Sequence, residues 1–435
     1  MKILIANYRY FISGGPERYM FNVIDALREQ GNEIVPFSIH YTRNRSTPYA
    51  PYFVEPLGGR DEVFFRQQRM SPQTTIRTIS RLFYARDVEI AVTKLAKKTK
   101  PQIAYVLHYL RKLSPSLLVG LKKAGIPIVV RLSDYAMLCP QAHCIRDGSP
   151  CELCAQGKLY PSMKYSCVQK STVASLLNAL ATWYHRGMGF FDLIDKFVVT
   201  NEFMYEMMLN AGYSKSRLVC IPTFVDETVF HPTPDFSKSN YFVFSGRLEP
   251  IKGIEVLFRA FSLLRNKRPD LGFQLKLAGF GESRFLEQLK SRCKSLGLND
   301  YVHFMGNLST EDLSTLLAGA LFSVVPSLWY ENLPNTILES YACGTPVIAS
   351  DIGSLSVCVS HGETGFLFQP NNPMELAKYL EKSLDNPDKM LGMGKTARNL
   401  ALNKYSAKKH LSSLEELFQK LARKNDSGKN NGGHG

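Results

Sequence analysis

The stretch from 327 to 354, SLWYENLPNTILESYACGTPVIASDIGS, sets two glutamates, Glu331 and Glu339, eight positions apart. Between them the chain enters a helix that the sequence starts around Pro334 or Asn335. The first-turn N–H groups of a helix have no internal partner and favour an anion. A carboxylate one turn inside can accept from both hydroxyls of a ribose. A carboxylate in the preceding loop can reach the far side of a phosphate, where a sugar would lie. The spacing suits a nucleotide-sugar, with two solvated glutamates as the plainer alternative. Upstream, SGRLEPIKG puts Arg247 and Lys252 on one loop after a strand. A guanidinium grips a diphosphate through parallel hydrogen bonds and an ammonium adds a point charge; the alternative is a pair of surface ion pairs. Near the start, ISGGPER offers Gly14 and Gly15 ahead of a helix, another anion site. It lacks the full G-x-G-x-x-G, and no acidic residue closes a clear second strand, which argues against an NAD enzyme.

These residues need elements to hold them. KILIAN reads as a strand, RYMFNVIDALREQG as a helix closing on Gly31, and NEIVPFSI as the next strand, a βαβ unit. PQIAYVLHY, a helix over 115–123, GIPIVVRLSDY and KFVVTN continue the alternation. A second series starts near 240 with YFVFSGRLEPIKG, IEVLFRAFSLLRNK and FQLKLAGFGE, and STEDLSTLLAGA opens on a Ser309–Asp312 capping box. The chain is too long for one core. The expectation is an α/β protein of two doubly wound, Rossmann-like domains facing a central cleft, with ligands at the strand C-termini. The N-terminal, acceptor-binding domain takes 1–235, with a Cys-rich insertion at about 136–170. The C-terminal, nucleotide-sugar-binding domain takes 236–405. A helix over 406–423 packs back on the N-terminal domain, and a disordered tail covers 424–435.

The net charge is +15, and residues 60–131 hold 15 Lys/Arg against 4 Asp/Glu, a surplus of 11. Such a patch attracts nucleic acid, anionic lipid or a phosphorylated substrate, or is simply a solvated surface. Phe64 and Phe65 among Arg66 and Arg69, and Trp183, Tyr184, Phe190 and Phe191 beside Arg186, favour peripheral membrane association through 60–131 and 183–191 over nucleic acid. The same aromatics serve as core in the plainer reading. No apolar run reaches about 18 residues, and MKILIANYR reads as a strand, not a signal peptide. The expected location is cytoplasmic, at the inner face of the cell membrane.

Five of the nine cysteines crowd into LCPQAHCIRDGSPCELCAQGKLYPSMKYSC. Cys151-x2-Cys154 has zinc-knuckle spacing. Cys144, Cys151, Cys154 and Cys167 are the candidate ligands of a structural zinc, with free thiols and disulfides as alternatives.

GRLEPIKG, LAGFGE, VHFMGNLS, the ENLPNTILESYACGTPVIASDIGS block and HGETGFLF, in that order, resemble the retaining glycosyltransferases of family 4, which have the GT-B fold. The resemblance covers about 1–420 and is strongest over 240–370. It implies transfer of a sugar from a nucleotide-diphosphate donor to an acceptor with retention of configuration. Arg247 and Lys252 would hold the diphosphate, Glu339 the ribose, and Glu331 the donor-sugar hydroxyls. Amides around Asn335 and Thr336 would touch phosphate, and Gly14 and Gly15 would lie near sugar and acceptor. Base recognition would fall near the strand end from His303 to Asn307. No metal is required for catalysis, because cations and a helix dipole replace it as the charge sink. The strand PIVVRLSDY often ends in a His-Asp pair in that family. Here Ser133 precedes Asp134, which leaves Asp134 as the catalytic candidate and His108 as the nearest replacement histidine. The basic N-terminal half suggests a lipid-linked or other saccharide acceptor, as in cell-surface polysaccharide or lipopolysaccharide assembly. Rival readings are a sugar-nucleotide epimerase or phosphorylase of the same fold and a zinc-bearing nucleic-acid-binding protein. The last leaves the glutamate block and Arg247/Lys252 unexplained.

Overall fold

Runs such as the ILIA of KILIA and the IVV of IVVR, apolar at every position, are stable as strands only when both faces of their sheet are covered. The computed structural model, which describes residues 1–61 and 72–431, uses them that way. The strands are β1 (Lys2–Ala6), β2 (Glu33–Phe37), β3 (Ile103–Val106), β4 (Ile128–Arg131), β5 (Ile145–Arg146), β6 (Ser149–Pro150), β7 (Lys196–Val199), β8 (Leu218–Cys220), β9 (Tyr241–Ser245), β10 (Gln274–Ala278), β11 (Val302–Gly306), β12 (Ser323–Val325), β13 (Val347–Ser350) and β14 (Gly365–Phe368). The helices are α1 (Gly15–Glu29), α2 (Pro72–Phe83), α3 (Arg86–Thr99), α4 (Ser116–Lys123), α5 (Tyr160–Lys164), α6 (Thr172–Gly187), α7 (Glu202–Asn210), α8 (Ile254–Lys267), α9 (Ser283–Ser295), α10 (Thr310–Gly319), α11 (Asn335–Ala342), α12 (Ser354–Cys358), α13 (Pro373–Leu384), α14 (Pro387–Lys404) and α15 (Ala407–Asn431).

Two parallel sheets result, ordered β2-β1-β3-β4-β7-β8 and β11-β10-β9-β12-β13-β14; β5 and β6 form a small hairpin apart. Side chains alternate across each sheet, so each carries two cores. In the first sheet Leu4 and Val106 pack on Val88, Leu95 and Leu117, while Ile3, Ile5 and Tyr105 pack on Ile24 and Leu27 of α1. Leu414 and Phe418 of α15 close that second layer, with Phe418 5.3 Å from the Tyr105 ring. The last helix thus returns to the N-terminal sheet, and it runs on to Asn431, into the tail for which disorder is expected from 424. In the second sheet Phe242 and Phe244 face one core and Val243 the other.

Strand order reverses between β1 and β3 in the first sheet and between β9 and β12 in the second. The loops leaving those strands diverge and open a crevice. The loop 326–333 after β12 is tied to the opposite domain. The Tyr135 hydroxyl donates to the Glu331 carbonyl at 2.9 Å, Asn332 Nδ2 donates to the Leu132 carbonyl at 3.0 Å, and Thr200 and Asn201 both donate to Asn332. On its own side the loop meets Gly253, whose φ is +70° and where a Cβ would lie 1.8 Å from the Pro326 carbonyl oxygen. Only glycine allows that approach, and it brings the neighbouring Lys252 up to Glu331.

Two surface expectations need correction. Phe190 and Phe191 are buried in the N-terminal domain, and Tyr184 packs on Phe83 and Phe190. Of the four aromatics in 183–191, only Trp183 is open to solvent. Nor is the basic surplus of 60–131 all surface charge: Arg81 is buried on Asp87, and Arg131 lies buried over the Tyr19 ring. Phe64, Phe65, Arg66 and Arg69 fall outside the described residues.

Candidate active site

The site lies where the two crevices meet. One cavity of about 340 Å³ is lined by Gly15, His108, Asp134, Arg247, Lys252, Glu331, Asn335 and Thr336. An adjoining cavity of about 730 Å³ adds Gly14, Arg18, Glu249 and Glu339, with Asn307 from the end of β11. The candidate polar residues read from the sequence are therefore gathered at one cleft from six separate loops and helix ends.

Glu331 is 6% exposed. Lys252 Nζ lies 2.6 Å from its Oε1, which also accepts from Ser327 Oγ at 2.7 Å and Trp329 Nε1 at 3.0 Å. Burial works to raise the pKa of this carboxyl, but Lys252 and the two other donors outweigh it and hold it below the ordinary range. All three donors converge on Oε1, so Oε2 has no partner among the described residues.

Glu339 is placed differently. It sits one turn inside α11, 9% exposed, and burial pushes its pKa up to about 7 against the pull of Arg18. Its carboxyl accepts no hydrogen bond from a described residue. Two carboxylates of one block thus have pKa values pushed in opposite directions, which is how a site separates two roles. At the α11 N-terminus Pro334 is the cap, and Thr336 Oγ1 donates to the Ser245 carbonyl at 3.1 Å. The Asn335 and Thr336 amides are first-turn groups without helical acceptors. Gly15 closes the opposite wall, where a Cβ would come within 3.5 Å of Asn335 Nδ2. Arg247 turns to Glu249 at 2.8 Å, about half exposed at the cleft mouth, so in this state it is an ion-paired side chain, as the plainer sequence reading had it.

Across the cleft His108 Nε2 stands 3.5 Å from Asp134 Oδ2, and Asp134 Oδ1 accepts from the Ala136 amide at 2.8 Å. Burial opposes ionisation of Asp134, but His108 and the amide hold its pKa below the usual value. With Ser133 at the preceding position, His108 is thus the histidine that meets this aspartate.

Residues 226–400 match the sequence model of the family Glycosyl transferases group 1. The matched segment, most of the C-terminal half, is similar to that family from before β9 through most of α14. Among curated relatives, the D-inositol 3-phosphate glycosyltransferase of Streptomyces avermitilis is 34% identical over 163 residues, covering 36% of this chain and 34% of its own length. The match thus spans about a third of that relative. Two solved structures extend the likeness to nearly the whole chain. Sucrose-phosphate synthase from Thermosynechococcus elongatus has a TM-score of 0.71 at 18% identity, covering 97% of this chain and 98% of that one. Anabaena Alr3699/HepE in complex with UDP has a TM-score of 0.67 at 16% identity, covering 97% and 100%. At that identity the likeness concerns the fold, and the fold is GT-B.

The matched segment supplies Arg247, Lys252, Glu331, Asn335, Thr336 and Glu339. Gly14, Gly15, His108 and Asp134 come from outside the matched segment. Sequence reasoning missed Arg18, which stands in the quoted GGPER stretch and faces Glu339, and His143, whose ring lies 5.2 Å from that of Trp329. A lone charge or ring in a loop carries no periodic signal.

The cysteine set differs from expectation. Cys144 is hydrogen-bonded to Cys139, and it is Cys139 that lines a small cavity with Cys151, Cys154 and Cys167. Three of the four expected zinc ligands, Cys151, Cys154 and Cys167, thus share one cavity, and Cys144 stands one hydrogen bond behind Cys139; as placed, no group of three or more His, Cys, Asp or Glu side chains among the described residues is close enough to hold a metal. No disulfide joins any of the nine cysteines. The hydrogen bond from Cys144 lowers the pKa of Cys139 to about 6 despite burial, and the same contact raises that of Cys144.

Proposed function

We propose that the protein transfers a sugar from a nucleotide-diphosphate sugar to an acceptor with retention of configuration. The observation that carries this reading is the pair of glutamates on either side of the α11 N-terminus, one ionised on Lys252 and one held near neutrality. Glu339 would accept from the ribose hydroxyls, and the Asn335 and Thr336 amides would take phosphate. Lys252 and Arg247 would hold the diphosphate and stabilise it as it leaves, and Glu331 Oε2 would meet the donor sugar. Asp134 and His108 would border the acceptor hydroxyl. Neither is committed as base: in a front-face attack the departing phosphate takes the acceptor proton, and rate comes from positioning and charge stabilisation. The cations and helix amides serve as the charge sink, so the transfer is proposed to need no divalent metal. The HepE structures with UDP and with UDP-glucose support a nucleotide-sugar donor.

The test is calorimetric titration with UDP, GDP, ADP and their common sugars without divalent metal, followed by the anomeric configuration of the product by NMR. One nucleotide should bind tightly, and binding should be lost in Glu339→Ala. Failure of all of them, with or without saccharide present, would reject the donor reading.

The acceptor is proposed to be a lipid-linked saccharide met at the inner membrane face, as in cell-surface polysaccharide assembly. Among the described residues no helix is long and apolar enough to cross a membrane. The apolar surface is one face of α6, where Val173, Leu176, Leu180 and Trp183 follow helical spacing and all stand exposed, with Ile76 exposed on α2. Neither helix carries a carboxylate, nor does α5, while Arg77, Lys164 and Arg186 do carry positive charge. An apolar stripe among cations suits an anionic bilayer. In co-sedimentation, phosphatidylglycerol-containing vesicles should retain the protein, and Leu180→Asp with Trp183→Asp should cut that binding about tenfold with nucleotide affinity unchanged. Equal retention of parent and variant would remove this face from the reading.

A further inference from the structure

The loop that leaves β3 carries Arg111 and Lys112 into a cavity of about 320 Å³ at the switch point of the first sheet, between the loop after β1 and the loop after β4. Tyr8, Arg9, Arg131 and Asp134 share its wall, so cations outnumber carboxylates there. The existing partners of each are informative. Arg9 Nη1 lies 3.5 Å from Glu17 and donates to Ser13. Arg131 donates to Ser133 at 2.8 Å and Thr223 at 2.7 Å, over the Tyr19 ring. Asp134 is shared: His108 and the Ala136 amide contact it, and the charge of Arg111 also acts on it. Arg111 donates to the Pro140 carbonyl, a neutral acceptor. The Lys112 ammonium has no hydrogen-bond partner and no carboxylate among the described residues, and the side chain is half-buried. Its surroundings are cationic: burial, then Arg9 and Arg81, pull its pKa down to about 8.

Lys112 is a half-buried cation with no carboxylate beside it among the described residues, and the more open Arg111 next to it has only the shared field of Asp134, so an anion would relieve a standing cost at Lys112 and find a second cation at Arg111. A neutral saccharide would not relieve it. The cavity is also not isolated. His108, Arg131, Ser133 and Asp134 line both it and the cleft that holds Lys252 and Glu331. An anion at Lys112 would therefore lie beyond the place where an acceptor hydroxyl meets the donor.

We propose that the cavity between the β1, β3 and β4 loops binds a phosphate group carried by the acceptor, held by Arg111 and Lys112. The proposal rests on the glycosyltransferase reading and narrows its acceptor to phosphate esters. Two sources share that chemistry, a soluble sugar phosphate and a polyprenyl phosphate or diphosphate. The phosphate is recognised and not transferred, so no bond to it forms or breaks.

The test uses the full chain, first saturated with the nucleotide it binds so that the diphosphate site is filled. Inorganic phosphate, glucose 6-phosphate and farnesyl phosphate are titrated, with glucose and farnesol as uncharged controls. Expected are binding of the phosphorylated probes over their controls and at least about tenfold weaker binding in Lys112→Gln and in Arg111→Gln. Nucleotide affinity should stay within twofold of the parent, and melting temperatures check the fold of each variant. The stronger of the two organic probes identifies the source. No phosphate binding by the parent, or equal binding by parent and Lys112→Gln, overturns the proposal. Lys112-dependent phosphate binding in a protein that binds no nucleotide would support the cavity assignment while rejecting the donor reading.

Discussion

Replacing Lys252 by alanine is expected to lower kcat by about a thousandfold, the scale seen when one preorganised donor to a developing negative charge is removed. The ammonium sits 2.6 Å from Glu331 in the cleft and would stabilise the departing diphosphate. The same change strips the counter-ion from a buried carboxylate, which typically costs about 3 kcal/mol or more. The two effects can be separated. Lys252→Met combined with Glu331→Gln removes both charges and should recover most of the melting temperature but none of the turnover. The pH dependence of stability gives a further check. Glu331 titrates below its ordinary 4.5 in the folded protein, so the pair's stabilisation is complete above that value and is lost as pH falls through the lower folded pKa. In Lys252→Ala burial is left largely uncompensated, the folded pKa rises, and stability should instead fall as pH rises. Turnover within tenfold of the parent would count against the diphosphate role.

Glu339 should make donor binding depend on pH near neutrality. Its carboxyl has a pKa near 7 in the unliganded protein, yet only the carboxylate can accept from both ribose hydroxyls. Binding must therefore expel a proton below pH 7, and affinity should weaken by up to about tenfold for each unit below that. A nucleotide-diphosphate sugar is the right probe, because its diphosphate has no secondary ionisation in this range. Glu339→Gln should bind more weakly and lose the pH dependence. A matching signature belongs to stability without ligand. The folded pKa lies above the ordinary 4.5, so stability falls as pH rises from 4.5 through 7, by about 3 kcal/mol in all. The Gln variant should lack that decline and melt higher than the parent at pH 8. A parent whose donor affinity is flat between pH 6 and 8 would remove Glu339 from the ribose.

The local pattern of this chain is legible because its periods are strong. Apolar runs between glycine turns specify parallel strands, amphipathic repeats specify the helices between them, and the order of GRLEPIKG and the glutamate block fits a second α/β domain. Ser309 caps α10 as its spacing from Asp312 implies, its Oγ accepting the Asp312 amide at 3.0 Å. Glu331, Glu339, Arg247 and Lys252 also stand out, through the order and flanks of the blocks that carry them.

Residue type alone could not assign the state of each group. Glu331 and Glu339 are the same residue eight positions apart, and only the approach of Lys252, allowed by Gly253, makes one ionised while burial holds the other near neutrality. The aromatics of 183–191 look alike in sequence, but packing sends Phe190 and Phe191 inward and leaves Trp183 outside on the stripe of α6. The CxxC spacing suggested Cys144 with Cys151, Cys154 and Cys167, whereas the fold brings Cys139 to the cavity of the last three and sets Cys144 behind it. Periodicity reports which face of one element is apolar. Burial, pKa and the partner of a charge depend on contacts between residues far apart in the chain, and those exist only once the two sheets and the loops between them are in place.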